Sequence, residues 1–100
     1  MSAYVLSEVE FINEKAATSY RELAAASIAA YGGRYLARGA EPHVAEGQAT
    51  SRRIVIVEFP TMERIHQWYA SAEYANALRY RDAALNRTLM FVEGVPPVTA

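Results

Sequence analysis

The stretch RRIVIVEFPTMERIHQWYASAEYANALRYRDAALNRTLMFVE, residues 52–93, decides the fold. It opens with RRIVIVEF, a run of β-branched residues that Pro60 stops. Thr61 is placed to cap a short helix, MERIHQWYA, because its hydroxyl can accept from an N–H group of the first turn. Ser71 is placed to cap a second, AEYANALRYRDAAL, so a bend is expected near Ser71. RTLMFVE then reads as a returning strand. This half of the chain is strand, helix, strand.

The preceding half repeats the pattern. In AYVLSEVEF the odd positions Ala3, Val5, Ser7, Val9 and Phe11 form one side, and Tyr4, Leu6, Glu8 and Glu10 form the other. That period of two predicts a strand with its odd side buried. Asn13 then caps EKAATSYRELAAASIAAY, in which Ala16, Tyr20, Leu23, Ser27 and Tyr31 recur at spacings of three and four as one stripe. Gly32 and Gly33 end that helix, RYLARG follows as a short strand, AEPHVAEGQATS reads as a loop, and GVPPVTA as an irregular tail. The order βαββαβ predicts an α+β, ferredoxin-like sandwich: a four-stranded antiparallel sheet with helices on one face, in a single domain over residues 1–100.

Composition narrows the function classes. A formal charge of −1 argues against general nucleic-acid binding. There is no cysteine, hence no disulfide, thiolate nucleophile or zinc ribbon. The N-terminus has no signal-peptide pattern and no run approaches the ~18 apolar residues of a membrane span, so a soluble, cytoplasmic protein is expected. With no metal-ligand spacing and no phosphate-loop pattern, no metal or cofactor is expected either.

The second face of the sheet has to be accounted for. Ile54 and Ile56 are apolar where a wet face would be polar, and LMFV near residue 90 is apolar on both sides. No further helix is left to cover them. A homodimer with its sheets facing each other is the economical solution. Glu8 and Glu58 lie on that open side, either as proton acceptors in the inter-subunit space or as solvated or arginine-paired residues near strand ends.

Other candidates lie in the opening stretch. Trp68 and Tyr69 fit either the core or a pocket wall. His66 has the titration range for acid–base work but no partner constellation, and reads first as a surface or packing residue. Arg81 follows Tyr74 by seven residues, so the two share a helical face; Arg81 could hold a carboxylate or phosphate, or pair with Glu58.

Taken together, AYGGRYLARG, AEG, RRIVIVEFPT, WYASAEY, Arg81 and the closing VEG resemble the domain-of-unknown-function-1330 family (DUF1330) over nearly the whole chain. Ala72 stands where that family often has proline, and both suit a first helical turn. The resemblance implies a protomer of the dimeric α+β barrel type. Relatives of that type include cofactor-independent monooxygenases, haem-handling proteins, isomerases of small cyclic compounds and stress-related proteins. It further implies a pocket between sheet and helices, with Trp68, Tyr69, Tyr74 and Arg81 at plausible wall positions. The expected function is binding, or metal-free transformation, of a small apolar or aromatic compound bearing an acidic group. The alternative is a non-catalytic dimeric regulatory or stress-response module.

Overall fold

The computed structural model describes residues 2–96. Its elements are β1 (Ala3–Phe11), α1 (Glu14–Ala30), β2 (Arg34–Ala40), β3 (Arg53–Phe59), α2 (Met62–Tyr69), α3 (Ala72–Ala84) and β4 (Leu85–Glu93). The four strands form one antiparallel sheet in the order β2-β3-β1-β4, the ferredoxin-like arrangement that the order of elements predicts. Residues 97–100 of the tail lie outside the described residues.

Local chemistry sets the boundaries. Asn13 accepts from the Ala16 N–H at 3.0 Å and Thr61 from the Arg64 N–H at 3.1 Å, so both predicted caps form. Ser71 does two jobs at the bend. Its hydroxyl donates to the Trp68 carbonyl at 2.6 Å, closing α2, and accepts from the Tyr74 N–H at 3.0 Å, opening α3. Gly32 ends α1 with φ +82°, a conformation costly for any residue with a Cβ. The last helix is shorter than expected: it stops at Ala84, and β4 begins at Leu85, two residues before the expected start at Arg87.

The sheet's buried face is the odd side of β1, as its alternation predicts: Ala3, Val5, Ser7 and Val9 are all buried. Val57 and Phe59 of β3 and Leu85 of β4 continue that face. Helix α1 packs mainly on α3, and its buried stripe is Ala17, Tyr20, Ala24, Ser27 and Ile28. That stripe is rotated from the expected one, keeping Tyr20 and Ser27 while leaving Ala16, Leu23 and Tyr31 half-buried. Along β2, register shifts follow Tyr35 and Arg38, and Gly39 takes φ +72°. The irregularity re-aims the strand so that both Tyr35, opposite Val57, and Arg38, opposite Val55, lie on the helix side.

On the opposite face lie Leu6, Ile54, Ile56 and Glu8, with Leu36 (48% exposed), Met90 (44%) and Val92 (39%) open to solvent. No helix among the described residues is long and apolar enough to cross a membrane.

Candidate functional site

Between the sheet and α1 lies a cavity of about 500 Å³. Its floor is the inward side of β1, β3 and β4 (Val5, Ser7, Val9, Val55, Val57, Leu89), and Tyr20, Ala24 and Ile28 of α1 form the roof. Trp68 closes one side. The indole is buried, its N–H donates to Ser27 Oγ at 3.0 Å, and its ring lies 4.2 Å from that of Tyr74 and 5.4 Å from that of Phe59. The aromatic wall is therefore fixed at both its polar and apolar ends.

Arg87 is the polar centre of the site. Its Nη1 donates to the Tyr20 hydroxyl at 2.6 Å and its Nη2 to the Tyr74 hydroxyl at 2.8 Å; the two hydroxyls are 2.6 Å apart. Period-two geometry explains why an arginine sits here. Arg87 faces Val9 across the β1–β4 ladder, on the inward side with Leu85 and Leu89. Burial works against its charge, but the tyrosines beside it outweigh that and raise its pKa further. Burial, then the neighbouring Tyr20, pushes the Tyr74 hydroxyl well above the usual phenol range.

The cluster leaves one phenolic proton over, whichever of the two oxygens donates to the other. Arg87 supplies one N–H to each hydroxyl, and the short O···O contact uses one of the two phenolic protons. The other O–H is left over. Tyr74 is fully buried and does not line the cavity, whereas Tyr20 does. With Tyr74 donating to Tyr20, the Tyr20 oxygen accepts two bonds and its own O–H is free to donate into the cavity. Neither Tyr20 nor Arg87 was among the candidates from sequence. The available signal was the inward series Leu85, Arg87, Leu89, Phe91, in which one residue is charged.

The cavity's electrostatics are one-signed. Arg21, Arg38, Arg53 and Arg87 line it, with no aspartate or glutamate among the described residues. Arg21 reaches Glu14 at 3.5 Å and lies over the Phe11 ring at 5.0 Å, and Arg38 lies over the Tyr35 ring at 4.5 Å. Arg87 has no carboxylate partner among the described residues. A chain of net charge −1 thus gathers cations around one apolar space.

The residues singled out from sequence divide into three groups. Trp68 lines the cavity, and Tyr74 supports it from behind through Arg87 and Trp68. Tyr69 and Arg81 instead line a smaller cleft of about 280 Å³, which shares Leu85, Arg87 and Leu89 with the cavity. Arg81 does not reach Glu58; it contacts Asp82 at 3.4 Å. The expected Arg81–Glu58 pair is replaced by Arg34–Glu58 at 2.8 Å, because antiparallel register sets those two residues directly opposite on β2 and β3. The Arg34 hydrogen bond holds the Glu58 carboxyl below its usual range. Glu8 and Glu58 belong to the open face and do not line the cavity. His66 is exposed on α2 and packs edge-on against Phe91 at 5.8 Å. No cluster of three metal-ligating side chains occurs among the described residues.

A ferredoxin-like chain with an arginine-lined, aromatic-walled cavity between sheet and helices is the class that this geometry defines. The chain belongs to the family described as Domain of unknown function (DUF1330), whose model matches residues 2–95. No curated protein matches it. Among solved structures it is similar to the RPA0582 protein of unknown function from Rhodopseudomonas palustris, with TM-score 0.76 and 16% identity over 96% of this chain and 84% of that one. It is also similar to a dimeric protein of unknown function and ferredoxin-like fold from Bacteroides fragilis (TM-score 0.60, 11% identity, covering 93% and 96%). A third is SnoaB, a cofactor-independent oxygenase from Streptomyces nogalater (TM-score 0.59, 6% identity, covering 99% and 98%). At these identities the likeness is one of fold.

Proposed function

We propose that this protein binds a small, ring-bearing organic acid in the cavity between sheet and α1, its anionic group held by Arg87 and the free O–H of Tyr20. One observation carries this reading: Arg87 is a half-buried cation without a carboxylate partner among the described residues, at the edge of an apolar space that no acidic side chain lines. Buried cations are ordinarily paired, so an anion supplied by a ligand completes the arrangement. The apolar lining and the Trp68 face supply affinity for a ring, and the space suits a molecule of one or two rings. Arg81, the arginine favoured from sequence, is assigned no contact with the ligand.

The protein acts as a homodimer through its open sheet face, in this proposal. Leu36, Met90 and Val92 are more exposed there than a monomer's surface would favour, and a neighbour of the same fold is dimeric. The non-catalytic module remains the competing reading and predicts no ligand in the cavity.

Thermal shift with matched pairs of aromatic carboxylates and their neutral amides tests the binding reading. Carboxylates should raise the melting midpoint by several degrees at about ten times Kd, and amides should not. Equal shifts, or none with any acid, would contradict it.

A further inference from the structure

Ser7 Oγ is a buried side-chain oxygen without a hydrogen-bond partner among the described residues, in a residue only 4% exposed. It interrupts the inward series Val5, Ser7, Val9 on the cavity floor. A valine or alanine there would continue the apolar surface. A buried hydroxyl left unpaired is unfavourable, so the serine calls for a partner that the protein does not supply.

Register locates this hydroxyl relative to Arg87. Ser7 lies opposite Leu89 on one side and Val55 on the other, while Arg87, opposite Val9, is the next inward position along β4. Their Cβ atoms are thus diagonal neighbours, roughly 7 Å apart. The short serine side chain keeps its oxygen at the sheet. The Arg87 guanidinium extends away from the sheet to the hydroxyls of Tyr20 and Tyr74, which come from α1 and α3. Val5, Val9 and Val55 line the same cavity as these two polar points.

Resting on the acid-binding reading above, we propose that Ser7 is a specificity-determining contact: its hydroxyl, closed off in the rotamer seen, turns about χ1 into the cavity to meet a second polar atom of the ligand. The ligand class is then an aromatic or alicyclic acid carrying a hydroxyl, carbonyl or amino group on the side of the ring away from the acid. Serine can donate or accept, so it serves any of the three. An unsubstituted aryl acid would leave its oxygen unpaired.

The test uses benzoate, naphthoate and the hydroxy isomers of each, titrated calorimetrically into wild type, Ser7→Ala and Ser7→Cys. In wild type the best hydroxy isomer should bind ~10-fold more tightly than its parent, the worth of one buried hydrogen bond. In Ser7→Ala that preference should shrink to within about two-fold while the parent acid binds as before, and Ser7→Cys should fall between, its thiol being a weak donor. A merely structural serine would shift parent and hydroxy acid alike. Parents binding wild type with no gain from any hydroxyl, or a preference that survives Ser7→Ala, would overturn the Ser7 assignment and leave the acid reading standing. No binding of any acid to wild type would overturn both.

Discussion

The Arg87 guanidinium, on the last strand, donates to the Tyr20 hydroxyl, on the first helix, at 2.6 Å, and through it ties the two ends of the fold across the cavity. Tyr74 completes the cluster from α3. The three residues bond one another, and the cluster leaves over guanidinium N–H groups and one phenolic proton.

The cluster should behave as a unit. Tyr20→Phe and Tyr74→Phe are each expected to cost about 1–2 kcal/mol, since each leaves a buried donor or acceptor short of a partner. The double variant should cost less than the sum by roughly 0.5–1.5 kcal/mol, because the second substitution removes a bond already broken. Urea denaturation of the four proteins measures the coupling, and strict additivity would show that the hydroxyls act independently.

Alkaline pH should weaken the fold through Tyr74. Its folded pKa lies above the unfolded value, so the native state holds the proton after the unfolded chain has lost it. The stabilisation is fully present below about pH 10, the unfolded phenol value, and is lost as pH rises from there towards the folded one. Tyr35, also raised by its burial, adds to the same trend. Stability measured from pH 8 to 11 should fall above about pH 10, and the fall should be shallower in Tyr74→Phe. A flat wild-type profile would contradict the burial of Tyr74 as a neutral phenol.

Gly33 is held by packing, not by a left-handed backbone. A Cβ there would come within 2.7 Å of Ile28 Cγ2 and 2.8 Å of Phe59 Cζ, both inside the core. Gly33→Ala should therefore cost about 1–3 kcal/mol, the range for overpacking, despite alanine's smaller entropy loss. A neutral or stabilised variant would mean that the α1–β2 corner is looser than its contacts indicate.

The open face of the sheet should mediate self-association. Met90→Lys places a charge among Leu6, Ile56 and Val92 without touching the cavity. Wild type is expected to sediment as a dimer and Met90→Lys as a folded monomer. A monomeric wild type would remove the dimer from the proposal while leaving the cavity's chemistry unaltered.

Most of the fold was legible in the sequence because its signals are local. Asn13, Thr61 and Ser71 each cap the helix they precede, and the alternation of β1 buries the side that it predicts. The site was only partly legible. Helical spacing groups Arg81 with Tyr74, but this pairing holds only along one element. The phenol of Tyr74 is instead met by Arg87, from the adjoining strand, because α3 ends at Ala84 and the chain resumes its period of two at Leu85. The expected strand already begins at Arg87, but without Leu85 before it Arg87 reads as a polar strand end and not as an interruption of an apolar inward series. Tyr20 was visible as part of the α1 stripe, yet its role depends on two partners 54 and 67 residues away, which periodicity alone cannot bring together. Glu58 illustrates the same limit, since strand register gives it Arg34 and not Arg81.

If Arg87 holds the acid group of a ring-bearing ligand, removing its charge should abolish most of the binding. The most direct measurement is calorimetric titration of naphthoate, or the best-binding acid of the panel, into wild type, Arg87→Met and Arg81→Met. Methionine fills comparable apolar space without the charge, so each variant removes a guanidinium while preserving much of its packing. Wild type and Arg81→Met should bind with similar affinity, and Arg87→Met should lose ~10-fold or more while still melting cooperatively. Affinity lost in Arg81→Met but retained in Arg87→Met, or no binding to wild type, would contradict that role of Arg87.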